Sequence, residues 1–371
     1  MVKPINAPWE LSYKDLQFER SPITMPVLSG LKYTRWVDIG MPKISPALLD
    51  CVFFLYKTRE DAEMGKKSGG TGFFVGIPSE KFPQEKYVYA VTNWHNVLQN
   101  GYSIIRVNNV AGSVSIIETE PAEWEFMPRK DDIAVMPIPV GNNDYKIILI
   151  PTTMFVTEDV VNSMGLGVGD DVFMVGRFID YDGEITNQPA VRFGNISIMS
   201  ASIKQEATGY MGKSHCIDLH SRAGFSGSPV FVYRTPGTNF DNKMVDLGER
   251  FQYLLGIHWG QFPEEWKIIM KDKLPNAESH TLITEGEYVK DLSGMTCVIP
   301  AQKILDVLYM PSLKRQRIEG DIETMDNYKR NGFPPEVEST GILESKNPQH
   351  KEDFNSLVSA AAKKKPQADE T

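Results

Sequence analysis

From Leu48 to about Pro300 the apolar residues come in short runs separated by clusters of Gly, Pro, Asn and Asp. Runs this short, rich in Val, Ile, Phe and Tyr, read as strands rather than helices. A first set comprises CVFFLYK, TGFFVGI, YVYAVTN, YSIIRVN, SVSIIE, DIAVMPI and KIILIP. After a break near 157–170 a second set follows: DVFMVGRF, VRFGNISIM, HCIDLH, PVFVYR, YLLGIH and MTCVIP. Two successive sets of about six strands predict an all-β fold of two packed six-stranded antiparallel β-barrels. The expected division is an N-terminal extension over 1–45, a first barrel over 46–155, a second barrel with a closing helix over 156–312, and a polar tail over 313–371.

Helical periodicity enters late. Pro300 suits a helix start, after which Ile304, Val307 and Leu308 fall on one face. Beyond Pro311 the composition turns polar, with KRQR and dispersed Asp and Glu, and predicts a linker. Phe354, Leu357, Val358 and Ala361 then recur at helical spacing ahead of Lys363, Lys365 and Pro366. The stretch 350–366 is therefore expected to be a short amphipathic helix that docks on a partner or on the body, or a marginal helix in a disordered tail. Loops over 235–251 and 261–292 are long, and PEEWKIIM in the second predicts a short helix.

Composition narrows the partners. The 371 residues are 41% hydrophobic, carry a formal charge of −9 and have a pI near 5.3. Non-specific nucleic-acid affinity comes largely from clustered Lys and Arg, so nucleic acid is excluded as an expected partner. The first thirty residues hold Glu10, Lys14, Asp15, Glu19 and Arg20 with no apolar run, so no secretory signal is visible, and no stretch has the length of a membrane span. Cys51, Cys216 and Cys297 are far apart and odd in number, which fits reduced thiols and a cytoplasmic location.

The chemistry centres on SRAGFSGSPVF, residues 221–231, where Ser226 stands between Phe225 and Gly227 in a tight glycine turn running into a strand. A nucleophilic serine needs a base, a carboxylate to orient that base, and donors for the developing oxyanion. His95 lies just past a strand in AVTNWHNV, and Asp132 opens the strand DIAV, with Asp131 beside it as a rival carboxylate. Adjacent residues of a strand face opposite ways, so only one of the two aspartates can serve. A metal site built from His215, Cys216 and His220 lacks any CxxC or HExxH support, and no cofactor is expected. Gly69, Gly70 and Gly72 lack the ending of a phosphate loop. GFSGS also departs from the α/β-hydrolase elbow, because Ser228 replaces the last glycine and a strand follows.

Seven segments in one order, SGGTGFFV (68–75), TNWHNV (92–97), DIAV (132–135), GDDVFMVG (169–176), GFSGSP (224–229), LLGIHWG (254–260) and GMTCVIP (294–300), resemble the chymotrypsin-like serine proteases, in particular the HtrA-type and bacterial trypsin-like branch. The resemblance covers about 47–310 and implies a serine endopeptidase acting on proteins or peptides. It implies that His95 is the general base, that Asp132 holds its tautomer, that Ser226 is the nucleophile, and that the N–H groups of Gly224 and Ser226 form the oxyanion hole. The pocket for the residue before the cleaved bond would be lined by His220, Ser221, His258, Trp259 and Gly260. A histidine in GIH further resembles that of Glu- or Gln-specific relatives, implying preference for Glu, Asp or Gln. Two departures stand out: Phe225 occupies the place of the acidic residue used in trypsin-type zymogen activation, and residues 311–371 leave no room for a PDZ module. A protease-fold binding module with a closed or unproductive cleft is the alternative expectation.

Overall fold

In the computed structural model, which describes residues 44–139, 144–181, 183, 185–234, 252–267 and 288–331, the two sets of apolar runs form two antiparallel sheets. The first set supplies β1 (Val52–Tyr56), β2 (Thr71–Pro78), β3 (Lys86–Thr92), β4 (Ile104–Asn108), β5 (Val114–Ile117), β6 (Ala134–Ile138) and β7 (Ile150–Pro151). The second supplies β8 (Asp171–Gly176), β9 (Ala190–Lys204), β10 (Met211–Asp218), β11 (Pro229–Tyr233), β12 (Gln252–Lys267) and β13 (Tyr288–Pro300). Short helices α1 (Arg59–Glu63) and α2 (Glu158–Met164) decorate the strand connections. The class is all-β, as the strand pattern predicts. Most of the N-terminal extension, the loop 235–251 and the stretch 350–366 lie outside the described residues.

The second sheet closes into a six-stranded barrel in the order β10-β13-β12-β11-β8-β9. The first departs from the expected six-stranded barrel. It is a curled seven-stranded sheet, β5-β4-β1-β2-β3-β6, with β7 pairing alongside β2 in parallel. Among the described residues its seam is closed near β6 by a single bridge, Glu125 to Val135. The chain after β5 meets Pro121, turns through a short 3-10 segment and buries Trp124 instead of continuing as strand. Proline there removes an N–H and fixes φ, which shortens the edge that would otherwise complete the ring.

Strand alternation divides the apolar residues of β2 and β8 among three cores. Phe73 and Val75 of β2 point to a core shared with Phe173, Val175, Phe231 and Leu254 of the second barrel. Phe74 points the opposite way, into the first sheet's own interior with Phe53, Leu55 and Ala90. Val172 and Met174 likewise turn into the second barrel's interior with Phe225, Val230 and Leu255. The shared core is what holds the two sheets face to face, and the stacked rings of Phe173 and Phe231 lie 5.1 Å apart within it.

The expected closing helix is α3 (Ala301–Leu308), whose Ile304, Val307 and Leu308 are buried in the shared core. The expected linker after it is not one. Residues 311–331 form α4 (Pro311–Asn331), laid along β3. Leu313 is buried, Arg317 Nη1 donates to Tyr89 Oη at 2.8 Å and to Leu308 O at 2.9 Å, and Asp321 Oδ1 accepts from Ser79 Oγ and Tyr87 Oη, both at 2.6 Å. Arg317 and Asp321 are buried with these partners, so the helix packs without an apolar stripe. The expected helix in PEEWK is also replaced: Pro263 to Lys267 continue β12 and pair with Tyr288 to Leu292 of β13. The rest of the loop 261–292, from 268 to 287, lies outside the described residues.

Candidate active site

Three strand ends meet at the seam between the sheets. His95 opens a helical turn just after β3, Asp132 precedes β6, and Ser226 sits in the turn before β11. Asp132 is fully buried, and its two oxygens take both donors of the same neighbour: Oδ1 accepts from His95 N at 2.9 Å and Oδ2 from His95 Nδ1 at 2.6 Å. Holding the ring proton on Nδ1 leaves Nε2 as an acceptor, and Nε2 lies 2.6 Å from Ser226 Oγ. A hydroxyl so placed can pass its proton to the imidazole as it attacks an electrophile.

Asp131 does not compete. Its carboxylate turns away from the imidazole and accepts from Gln205 Nε2 at 2.8 Å. Burial raises its proton affinity above the usual aspartate range, against the opposing effect of that hydrogen bond. Gln205, fully buried, reaches the site from the other side, because its Oε1 accepts from Asp132 N at 2.7 Å.

The glycine turn has a physical reason. Gly224 has φ +96° and Gly227 φ +88°, conformations that L side chains resist. A Cβ at Gly224 would also fall 2.7 Å from Arg177 O, and one at Gly227 only 2.0 Å from Thr71 O. Among the described residues no hydrogen-bond acceptor meets the N–H of Gly224 or of Ser226. The carbonyl of Ser226, by contrast, is held twice, by Thr71 N at 2.9 Å and by Asn96 Nδ2 at 3.0 Å. Phe225 is fully buried beside the guanidinium of Arg192, 5.7 Å from its ring centre.

The five expected pocket residues fall into separate groups. Ser221 and His258 are both buried and joined, with Oγ to Nε2 at 2.9 Å, while His258 Nδ1 faces Cys297 O at 3.3 Å. His220 is exposed and, with Ser221, Arg192 and Arg222, lines a cavity of about 700 Å³. Trp259 and Gly260 instead border a cleft of about 330 Å³ with His95, Gln99 and Lys204. His258 lines neither space; its partner Ser221 lines the first. Burial lowers its proton affinity, to a pKa of about 4, so the ring is neutral near pH 7.

Of the residues weighed as a metal site, His215 is buried with Nδ1 accepting from Ser200 N at 3.2 Å, and Cys216 stands opposite Cys297 across β10 and β13. Among the described residues no three His, Cys, Asp or Glu side chains converge on one point.

Asn93 is the neighbour of the candidate triad that sequence reading missed. It is fully buried; its Nδ2 donates to Asp132 O at 2.9 Å, and its Oδ1 accepts from Ser226 Oγ at 3.0 Å. The signal was present in TNWHN, where it stands two residues before His95, but nothing in the spacing says that its side chain meets the serine.

No family model and no curated protein matches the sequence. Among solved structures the chain is similar to the MamO protease domain from Magnetospirillum magneticum in its apo form, at 15% identity and a TM-score of 0.37, over 70% of this chain and 97% of that one. It is also similar to an HtrA-type protease, an AlgW variant with a decapeptide, at 15% identity and TM-score 0.36, covering 78% and 68% of the two chains. A third is the inactive form of a Rv3671c mutant from M. tuberculosis, at 16% identity and TM-score 0.35, over 73% and 95%.

Proposed function

We propose that this chain is a serine endopeptidase that works through an acyl-enzyme on Ser226. The observation that carries the reading is the unbroken path Asp132 Oδ2, His95 Nδ1, His95 Nε2, Ser226 Oγ, with 2.6 Å at each contact. In the proposed reaction Ser226 Oγ attacks the substrate carbonyl carbon while its proton passes to His95 Nε2. Asp132 favours the imidazolium so formed. The N–H groups of Gly224 and Ser226 receive the negative oxygen, each donor worth roughly 3 kcal/mol of barrier lowering. The imidazolium then protonates the leaving amine, and a water activated by the same imidazole hydrolyses the ester.

A preference among Glu, Asp and Gln before the cleaved bond belongs to the same proposal, and the amide is favoured. With the His258 ring neutral and its Nδ1–H directed to Cys297 O, Nε2 accepts the Ser221 hydroxyl proton. The pair then presents a lone pair of Ser221 Oγ, which a Gln carboxamide N–H can meet and a carboxylate cannot.

A fluorophosphonate probe tests the chemistry, since it labels a serine only when base and oxyanion donors are assembled. Labelling should vanish in Ser226→Ala and His95→Ala and persist in Ser221→Ala and Ser228→Ala. A folded wild-type chain that takes no label would support the binding-module reading instead. A positional peptide library tests specificity: cleavage after Gln should dominate and weaken on His258→Ala. Dominant cleavage after Val, Ala or Leu, or after Lys or Arg, would overturn it.

A further inference from the structure

Thr71, the first residue of β2, is fully buried, yet every polar atom it carries is engaged with the surroundings of the nucleophile turn. Its N–H donates to Ser226 O at 2.9 Å. Its carbonyl accepts from Thr92 Oγ1 at 2.7 Å. Its hydroxyl Oγ1 accepts from Arg177 N at 2.9 Å and lies 2.7 Å from Gly224 O. A carbonyl oxygen brings no proton and Arg177 N–H brings its own, so the single hydroxyl proton is committed to Gly224 O.

The consequence lies in the peptide planes. Binding Gly224 O fixes the plane that joins Gly224 to Phe225, and binding Ser226 O fixes the plane that joins Ser226 to Gly227. The plane between them carries the Ser226 N–H and is therefore held from both sides. Gly224 is one of two glycines in the turn, and its φ of +96° is one a glycine can readily leave. We infer that Thr71 is a positioning residue for the oxyanion site: from the first sheet, through Gly224 O and Ser226 O, it fixes the direction of the Ser226 N–H, which belongs to the second barrel.

Arg177 ties the other end of this clamp. Its guanidinium donates to Ser68 O and Lys66 O, both at 2.7 Å, and stacks over the Tyr56 ring at 4.3 Å, so the N–H that orients the Thr71 hydroxyl is itself anchored on the first sheet. Thr71 touches no substrate atom in this arrangement. Its role rests on the serine-peptidase reading for its effect on rate, but the clamp itself is a statement about hydrogen bonds that can be tested without turnover.

The test compares Thr71→Val, which removes the hydroxyl at nearly constant volume, with Thr71→Ser, which keeps it. In T71V kcat should fall about ten- to a hundredfold with KM within about twofold, somewhat less than the roughly 10²–10³ lost with a whole oxyanion donor. T71S should recover most of the rate. Fluorophosphonate labelling should slow in proportion to kcat. The second arm is the ¹H–¹⁵N resonance of the Phe225 amide, which shares its peptide plane with Gly224 O. It should shift in T71V and return toward wild type in T71S. Should T71V not fold, Thr71→Ala reads the same quantities. Wild-type kcat in T71V, or an unmoved Phe225 amide, overturns the inference. Absence of labelling in the wild type overturns the peptidase reading, and the Phe225 resonance still decides the clamp.

Discussion

At the scale of single residues, Ser226 is gripped by the two asparagines that flank His95. Asn96 holds its carbonyl at 3.0 Å, and Asn93 takes its hydroxyl at 3.0 Å. The orientation of the Asn93 amide is settled by chemistry, because Nδ2 faces Asp132 O at 2.9 Å and a flipped amide would set two oxygens together. The serine proton thus has two acceptors, His95 Nε2 and Asn93 Oδ1. The second keeps Oγ in place whenever the first is occupied. A neutral buried hydrogen bond is worth about 0.5–1.5 kcal/mol, so Asn93→Ala should lower kcat about two- to tenfold. Steady-state kinetics should show KM within about twofold of wild type; an effect confined to KM would mean that Asn93 shapes the substrate site instead. His95, Asp132 and Ser226 were legible in the sequence because each stands in a short segment at a strand end, where topology leaves few places to go. Thr71, Asn93 and Asn96 lie in the same segments but act on atoms of the other sheet's turn, and spacing along one strand carries no information about that meeting.

At the scale of elements, α4 is where reading and structure part most. Apolar periodicity detects helices that bury hydrocarbon, and this helix buries Arg317 and Asp321 instead, each matched to tyrosine or serine groups of the first sheet. Its composition is that of a linker while its contacts are those of a core element. The strands, by contrast, were legible because their burial follows the period of two that the sequence displays, as in Phe73 against Phe74. A chain ending at Ser312 is therefore expected to lose Leu313 from the shared core and the hydrogen bonds that Arg317 and Asp321 make to Tyr87, Tyr89 and Ser79. Fully burying one leucine is worth roughly 1.5–3 kcal/mol, and each lost hydrogen bond adds about 0.5–1.5 kcal/mol. The sum is on the order of 5 kcal/mol, comparable to the whole stability of a domain. Denaturant melts should show that chain unfolded or severely weakened, and a chain ending at Asn331 stable and as readily labelled at Ser226 as the full chain. Equal stability of the two would place α4 outside the core.

At the scale of the whole molecule, the two sheets repeat one connectivity. Counting strands from the start of each, the second ring runs 1-2-3-6-5-4, and the first sheet follows the same order with the ring cut between its fifth and sixth strands. The pattern is invisible as sequence repetition, since a barrel needs only alternation and turns, which many sequences supply. The seam between the halves is where the candidate chemistry sits, and buried histidines crowd the second half beside it. His215 and His258 are both enclosed, and burial lowers each to a pKa of about 4 from an ordinary value of 6.5. In the unfolded chain both would bind protons as pH falls through 6.5, whereas in the folded chain they stay neutral until about 4. The unfolded state thus binds more protons across that window, so stability is full above 6.5 and is lost progressively as pH falls toward 4. At one pKa unit per about 1.4 kcal/mol, each histidine should cost roughly 2–3 kcal/mol of stability by pH ~4.5. Urea melts at pH ~7 and ~4.5 measure the loss, and His215→Asn and His258→Gln should each remove about half of the histidine share while the double variant removes nearly all of it. An undiminished acid loss in the double variant would assign the effect to groups other than these two histidines.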